Sequence, residues 1–285
     1  MSESIKENAI LNEILHWETE LQDDSRTDFQ RTFDRWFQRK LDEIPSGTKN
    51  ILFKKIDSSL FHLHSFIQNS FIQQDAKKQI LLSARSLNSD IEQLSDLHLL
   101  RIDQLHYLAD LQTSKHRLYS FLQGGLTGTG GLLLTGLDIP AQTVLNLRAI
   151  QMISMCYGYE INNPYEMMIS LKVYHASLMP KQLKYRSWLE LKREGKKGAS
   201  SYFYEGKEDV SNEESLEFLL KQIAKLSVIS LFKRKLIAGV PLVSILVGAG
   251  FNYQVTRDIC IFANKYYQYR YLEDTYAVRT GGNDE

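Results

Sequence analysis

Apolar side chains recur every three or four residues along most of this chain. Near the start they form one helical stripe at Ile10, Ile14, Trp17 and Leu21. This spacing is typical of an amphipathic helix, whereas a half-buried strand alternates with a period of two. Strand-like alternation is scarce in the sequence. The pattern therefore predicts an all-α fold, a single multi-helix domain over residues 1–285.

Proline and capping residues predict where some helices begin and end. Asn163 is a candidate N-cap, Pro164 occupies the first helical position, and Glu166 is placed to close a capping box. Pro180 ends the same predicted helix. Glycine, serine and charged residues are mixed near 192–210, and this composition predicts a mobile loop within the domain.

Two long uncharged stretches interrupt the amphipathic pattern. Residues 118–137 and 236–256 contain 20 and 21 residues without a charged side chain. Each stretch is long enough to cross a bilayer whose apolar core is about 30 Å thick. Gly124 and Gly128 form a GxxxG pair, a spacing that lets helix backbones approach closely in lipid or in protein. The stretches are therefore predicted as glycine-containing helical segments that are either buried or interfacial.

A basic triplet precedes each uncharged stretch. The triplets are Lys115, His116, Arg117 and Lys233, Arg234, Lys235. The positive-inside rule would place both preceding ends on the cytoplasmic side, and two such spans need a third crossing that residues 138–235 do not offer. We therefore favour helices buried in a soluble fold, or hairpins that dip into a membrane interface, over two spans. In either case, segments 118–159 and 236–272 are expected to pack together as the central layer.

Charge and cysteine content exclude several classes of protein. The chain has 34 basic and 34 acidic residues, and neither half forms a cationic block, so we expect no nucleic-acid partner. Cys156 and Cys260 lie in apolar runs without CxxC spacing, which is typical of buried, reduced thiols. The N-terminus carries acidic residues throughout and resembles no secretory signal. We therefore expect a cytoplasmic protein.

Motifs for nucleotide or metal chemistry are weak. A dinucleotide fingerprint starting at Gly128 would need glycine or alanine where Leu133 stands, and no P-loop sequence is present. Asp103, His106 and Asp110 share one helical face, as metal ligands can. The opposite face carries an apolar stripe of Leu94, Leu97, Leu105 and Leu108. The acidic face is therefore predicted to be solvated, and we expect no metal and no cofactor.

Asp138 and Arg148 are the charged residues within segment 118–159. Asp138 is predicted as the N-cap of a following helix with Pro140 in its first turn, although a carboxylate in apolar surroundings would also have a raised pKa. A buried Arg148 needs a partner, for which Asp258 is the candidate. Arg257 is the matching candidate for Asp138.

The C-terminal part of the chain is unusually rich in tyrosine. Arg270 is surrounded in sequence by Tyr266, Tyr267, Tyr269, Tyr271 and Tyr276. Tyrosine combines an apolar ring with a polar tip, which suits a helix seam, a protein interface or a membrane interface. The sequence leaves these three interpretations open.

Two segments resemble a known family. The run "GGLTGTGGLLLTGLDIPAQ", continued by "YGYEINNPYE", and the C-terminal "GVPLVSILVGAGFNYQVTRD" are similar to the characteristic segments of the EcsC family. The resemblance implies a bacterial protein whose family namesake is encoded beside an ABC-type exporter. It carries no catalytic residue onto this sequence.

These observations lead to one expected function and two alternatives. We expect a non-catalytic accessory protein that supports an ABC-type exporter and is peripheral on the inner face of the cell membrane. Contacts with lipid or partner are expected at Gly124 and Gly128 and at the second basic triplet. The alternatives are a lipid- or peptide-binding module and a hydrolase-like enzyme that uses Asp138 and Arg148.

Overall fold

The computed structural model describes residues 3–23, 71–128, 131–161, 164–179, 181–204 and 241–281. The helices in these ranges are α1 (Glu3–Gln22), α2 (Phe71–Arg85), a 3₁₀ helix (Leu94–Leu99), α3 (Ile102–Gly128), α4 (Gly131–Cys156), α5 (Pro164–Leu178), α6 (Lys181–Tyr204) and α7 (Pro241–Gly281). The same ranges contain no strand. The predicted all-α, single-domain fold is confirmed.

The long helix α7 packs against α3 and α4, and hydrogen bonds at separate levels fix its direction, among them one from the Tyr271 hydroxyl of α7 to the carbonyl of Leu100, just before α3, at 3.4 Å. The Gln142 side chain of α4 donates a hydrogen bond to Thr256 at 2.9 Å. Asn264, further along α7, accepts one at 2.5 Å from Tyr157, which follows α4, and lies 2.9 Å from His106 of α3. Helix α7 therefore runs parallel to α4 and antiparallel to α3. The predicted packing of segment 118–159 against 236–272 is confirmed.

The first amphipathic stripe faces the core as predicted. Ile14 is fully buried and Ile10 nearly so, while Trp17 and Leu21 are partly buried against the same cluster. Helix α1 lies on α6 and α7. Burial of this stripe is the main hydrophobic contribution of α1, because apolar area removed from water stabilises the fold by about 25 cal/mol per Å².

The acidic face of α3 is solvated and held by ordinary ion pairs. Asp103 pairs with Lys6 and, at 3.1 Å, with Arg101, and His106 lies 3.7 Å from Asp110. On the other side, the predicted leucine stripe is buried at Leu94, Leu97, Leu105 and Leu108. Within the described ranges no three His, Cys, Asp or Glu side chains are grouped to hold a metal ion.

Two predicted boundaries are corrected by the structure. Asp138 and Pro140 lie inside α4, which begins at Gly131, so Asp138 is not the N-cap of a new helix. Residues 192–204 continue α6, so the predicted loop does not begin at 192, and 205–210 lie outside the described residues. In both places the local sequence favours a helix start or a loop, but the residues lie within a longer continuous helix. Pro164 does begin α5, as predicted.

No helix in the described part of the chain has both the length and the apolar character that a membrane span requires. The second basic triplet, at residues 233–235, lies outside the described residues, as does Asn163. The side chains of residues 119–141 are not described, so α3 and α4 are characterised there by their backbones alone.

Candidate functional site

A tight turn ends α4 and orients the tyrosines that follow it. Gly158 has φ +87°, a left-handed conformation that favours glycine. Its N–H donates to the Met155 carbonyl at 3.0 Å, and the Tyr159 N–H donates to the Ser154 carbonyl at 3.1 Å. These two bonds form a Schellman motif, which satisfies the last carbonyls of the helix. A Cβ at Gly158 would also lie 3.3 Å from the Leu94 carbonyl oxygen. The chain therefore reverses sharply and brings Tyr159 back toward α7.

A buried ion pair joins α5 to α7 beside this turn. Arg270 donates to both carboxylate oxygens of Glu166, at 2.7 and 2.6 Å. Both residues are buried. Although burial opposes the charged form, the hydrogen bonds that Arg270 donates to the Glu166 carboxylate raise the pKa of Arg270 above its ordinary value. The guanidinium therefore remains charged, and its bidentate geometry fixes the angle between the two helices.

Tyrosine rings enclose the guanidinium. The Arg270 carbon Cζ lies 4.0 Å from the ring centre of Tyr159 and 5.5 Å from that of Tyr165. The Tyr159 hydroxyl donates to Asp274 at 2.7 Å. Burial raises the pKa of Tyr165 to about 12 and that of Tyr266 well above its ordinary value. These hydroxyls therefore stay protonated at neutral pH. Tyr266, Tyr267 and Tyr269 are buried, as the helix-seam interpretation predicts, whereas Tyr276 is 39% exposed.

A second aromatic cluster lies where α1, α6 and α7 meet. The Trp188 indole packs edge-to-face on Trp17, with ring centres 5.0 Å apart, and on Phe262 at 5.7 Å. Its N–H donates to the Glu18 carboxylate at 2.7 Å, which also accepts from Lys192 at 2.6 Å. The only polar atom of this buried indole is therefore satisfied, and its charged neighbours are paired.

Uncharged polar groups align α7 with α4 inside the layer. Thr256 accepts from Gln142 and donates to Asn146 at 2.7 Å. Further along α7, Cys260 and Asn264 follow at steps of four residues, so they share one face of the helix. Threonine, cysteine and asparagine at four-residue steps are the sequence signal that locates this seam. The sequence analysis noted Cys260 as a buried thiol but did not connect it with Thr256 and Asn264.

The two cysteines are free and buried, as predicted. Burial raises the pKa of Cys260 to about 12 and raises that of Cys156 further. Both sulfurs are therefore protonated thiols at neutral pH and behave as small apolar side chains.

The predicted pairs of charged residues do not come together where the structure describes them. Asp258 accepts a hydrogen bond from Gln254 at 2.8 Å and lies near Lys184, not near Arg148. Partial desolvation by the side chains around them raises the pKa of Asp258, which keeps contact with solvent, and lowers that of Lys184. The Nε atom of Arg148 is buried and meets no hydrogen-bond partner among the described residues.

The backbone positions of Asp138 and Arg148 do not support a shared catalytic site. Both lie on the continuous helix α4. Ten residues of α-helix separate them by about 15 Å along its axis. The side chain of Asp138 is not described, so its predicted pairing with Arg257 lies outside the described residues.

The two uncharged stretches of sequence meet at one end of the central layer. His106 of α3 contacts Asn264 of α7, and the two helices run antiparallel. Residue 128, 22 positions after His106, therefore lies at the same height as the residue 22 positions before Asn264, which is about residue 242. Residue 131 of α4 lies 11 positions before Gln142, which contacts Thr256, so it is level with about residue 245. We call residues 118–128, 131–137 and 241–252 the uncharged tip.

The charged residues Arg117, Arg257 and Asp258 mark the base of the uncharged tip. By the same alignment, Arg117 is level with about residue 253 of α7. Arg257 and Asp258 are exposed, and so are two apolar side chains at this level, Leu118 with 57% and Tyr253 with 38% of its surface accessible. The base therefore presents both charges and large apolar side chains to solvent.

Comparison with known proteins finds one family whose model matches most of the chain. The model of the EcsC protein family matches residues 8–272. The chain is 30% identical over 132 residues to "Uncharacterized protein YdbA" of Bacillus subtilis (strain 168). This match covers 44% of the chain and 48% of the relative, so the chain spans about half the length of the curated relative. No solved structure matches the chain.

Proposed function

The chain belongs to the EcsC protein family, and from this premise we propose that it is a non-catalytic accessory protein at the cytoplasmic face of a membrane, where it supports an ABC-type exporter. The exporter enters the proposal through the gene neighbourhood of the family's namesake. This is an association and not a mechanism.

The observation that carries the proposal is the uncharged tip. Two stretches of sequence more than a hundred residues apart contribute helix ends to the same end of the layer. Apolar surface has an unfavourable free energy in water, and a segment without charged side chains avoids the large free-energy cost of moving a charge into lipid. Charges return at its base. This separation of apolar and charged zones supports contact with a bilayer surface.

The polar groups of the described core support a structural role more than a chemical one. Glu166 and Arg270 hold each other, Glu18 holds Trp188 and Lys192, and burial keeps the thiols protonated. Catalytic acids, bases and nucleophiles need a pKa near the working pH and access to substrate. The hydrolase-like alternative would need Asp138 and Arg148 to converge, and they lie about 15 Å apart along one helix.

Replacing Lys233, Arg234 and Lys235 with glutamine is expected to weaken binding to anionic vesicles. Each basic residue near such a surface contributes about 1 kcal/mol, so loss of three lowers the partition coefficient by roughly a hundredfold at low salt. Co-flotation with vesicles of phosphatidylcholine and phosphatidylglycerol measures this. As a matched control, the exposed residues Lys78 and Arg193 are changed to glutamine, with no expected effect. Wild-type protein that fails to float on anionic vesicles contradicts the membrane part of the proposal.

Deleting the gene in its own host is expected to lower the abundance or the secretion activity of the exporter. The physical reason is that an accessory bound at the membrane stabilises the assembled state of its partner by mass action. Immunoblotting of the exporter and measurement of secreted product give the two readouts, and complementation with the wild-type gene is the control. Unchanged exporter abundance together with unchanged secretion would overturn the exporter part of the proposal.

A further inference from the structure

We infer that the uncharged tip inserts into one leaflet of an anionic bilayer, as far as the level of Tyr253 on α7. The inference rests on the proposed membrane association and specifies its partner: the hydrocarbon of a single leaflet, with the lipid headgroups at the base of the tip. The tip neither crosses the bilayer nor rests on the headgroups.

The length of the tip matches one leaflet. From the level of Tyr253 to that of residue 242 there are 11 residues, which measure about 16 Å along a helix. Half of a hydrocarbon core of about 30 Å is about 15 Å. The fit to half a bilayer is consistent with the absence of a spanning helix from the described ranges.

The base of the tip has the composition of a membrane interface. Tyr253 and Leu118 are exposed there, and Arg117 and Arg257 lie at or near the same level. Tyrosine is enriched where membranes meet water, and arginine extends its charge toward headgroups while its stem remains in apolar surroundings. This belt of exposed side chains is independent of the glycine spacing and of the length argument.

The tip can enter lipid because its backbone is helical. Residues 118–128, 131–137 and 241–252 all lie within α3, α4 and α7, so most of their backbone groups bond within each helix. The last carbonyls of α3 and the first N–H groups of α4 and α7 lie at the deepest level of the tip and need partners there, from one another or from water. The glycines in the same ranges permit close approach of the three backbones.

The test measures depth directly. The fluorophore NBD is attached to single introduced cysteines at the tip, Leu126→Cys and Leu246→Cys, and to Ser114→Cys, an exposed control before the tip on α3. Cys156 and Cys260 remain in place, because their protonated thiols react slowly. Vesicles of phosphatidylcholine and phosphatidylglycerol carry nitroxide quenchers either near the headgroup or deep in the acyl chain.

We expect both tip labels to shift their emission to the blue, to brighten several-fold on binding, and to be quenched more strongly by the deep nitroxide. The Ser114→Cys label should remain accessible to dithionite in water. Vesicle binding with tip labels that stay accessible to dithionite overturns insertion but leaves membrane association intact. If dithionite enclosed inside the vesicle reduces the tip labels, the tip crosses the whole bilayer, and this result also overturns insertion into a single leaflet. Absence of flotation would instead reject the proposed function.

A substitution without any label provides the second measurement. Leu126→Asp is expected to lower vesicle binding at least tenfold, because a charged side chain in the hydrocarbon region of an inserted helix is strongly disfavoured. Leu183→Asp, at an exposed site on α6, is the matched control and should bind as wild type does. Circular dichroism confirms that each variant is folded. Folded Leu126→Asp that binds vesicles normally contradicts insertion.

Discussion

Glu166→Gln is expected to lower the free energy of unfolding by about 3–5 kcal/mol. Both carboxylate oxygens of Glu166 accept bonds from Arg270, and both residues are buried. The amide of glutamine offers one acceptor and turns an N–H₂ group toward the guanidinium. Arg270 then holds a buried charge without its counter-charge, while the tyrosine rings around it exclude water. Denaturant unfolding followed by circular dichroism measures the loss.

A double variant separates the ion pair from the packing around it. Replacing both partners with apolar residues of similar volume, Glu166→Leu with Arg270→Met, removes the uncompensated charge and should recover much of the stability lost in Glu166→Gln. Glu166 and Arg270 are 104 residues apart in sequence, so the coupling reports on tertiary contact. A Glu166→Gln protein within about 1 kcal/mol of wild type would show that the pair is hydrated or weak.

Trp188→Ala is expected to cost about 3–5 kcal/mol, the range found when a large aromatic side chain is removed from a core. Trp188 is fully buried and has edge-to-face contacts with Trp17, Phe262 and Tyr266. Its loss leaves a cavity between α1, α6 and α7 and removes a donor from Glu18. Thermal unfolding should show a clear fall in Tm.

Two variants on α6 serve as controls for Trp188→Ala. Trp188→Phe keeps most of the ring contact but loses the bond to Glu18, so its cost should be about 1–3 kcal/mol. Leu183→Ala, at a position that is 49% exposed, should change stability by no more than about 0.5 kcal/mol. A Trp188→Ala protein as stable as Leu183→Ala would contradict the central place of this cluster in the core.

Periodic features were predictable from the sequence. The stripe of Ile10 and Ile14, the leucine stripe before and within α3, and the helix start at Pro164 were each recognised from spacing, because burial of one helical face imposes that spacing. The packing of the two uncharged stretches followed from the same principle, since helices with few charges need one another's surfaces to leave water.

Pairwise contacts between distant residues were not predictable in the same way. Helical periodicity places Glu166 on α5 and Arg270 on α7 but carries no information about which cation meets which carboxylate. The proposed pairing of Arg148 with Asp258 failed for this reason, since Asp258 lies near Lys184 instead. Asp138 followed by proline is a strong local signal for a helix start, and a helix that begins seven residues earlier outweighed it.

The contact between Gln142 and Thr256 can form only after a delay during synthesis of the chain. The two residues are 114 positions apart, and a ribosome adds roughly 5–20 residues per second, so about 6–23 s pass between their appearances. For most of that interval, from the synthesis of Cys156, which ends α4, to that of Pro241, which begins α7, the hairpin of α3 and α4 has been made while α7 has not. Its surface for α7 is uncovered, and pairing over so long a separation is intrinsically slow. The nascent chain is therefore most exposed to aggregation, and most open to capture by a chaperone or a membrane, before α7 leaves the ribosome.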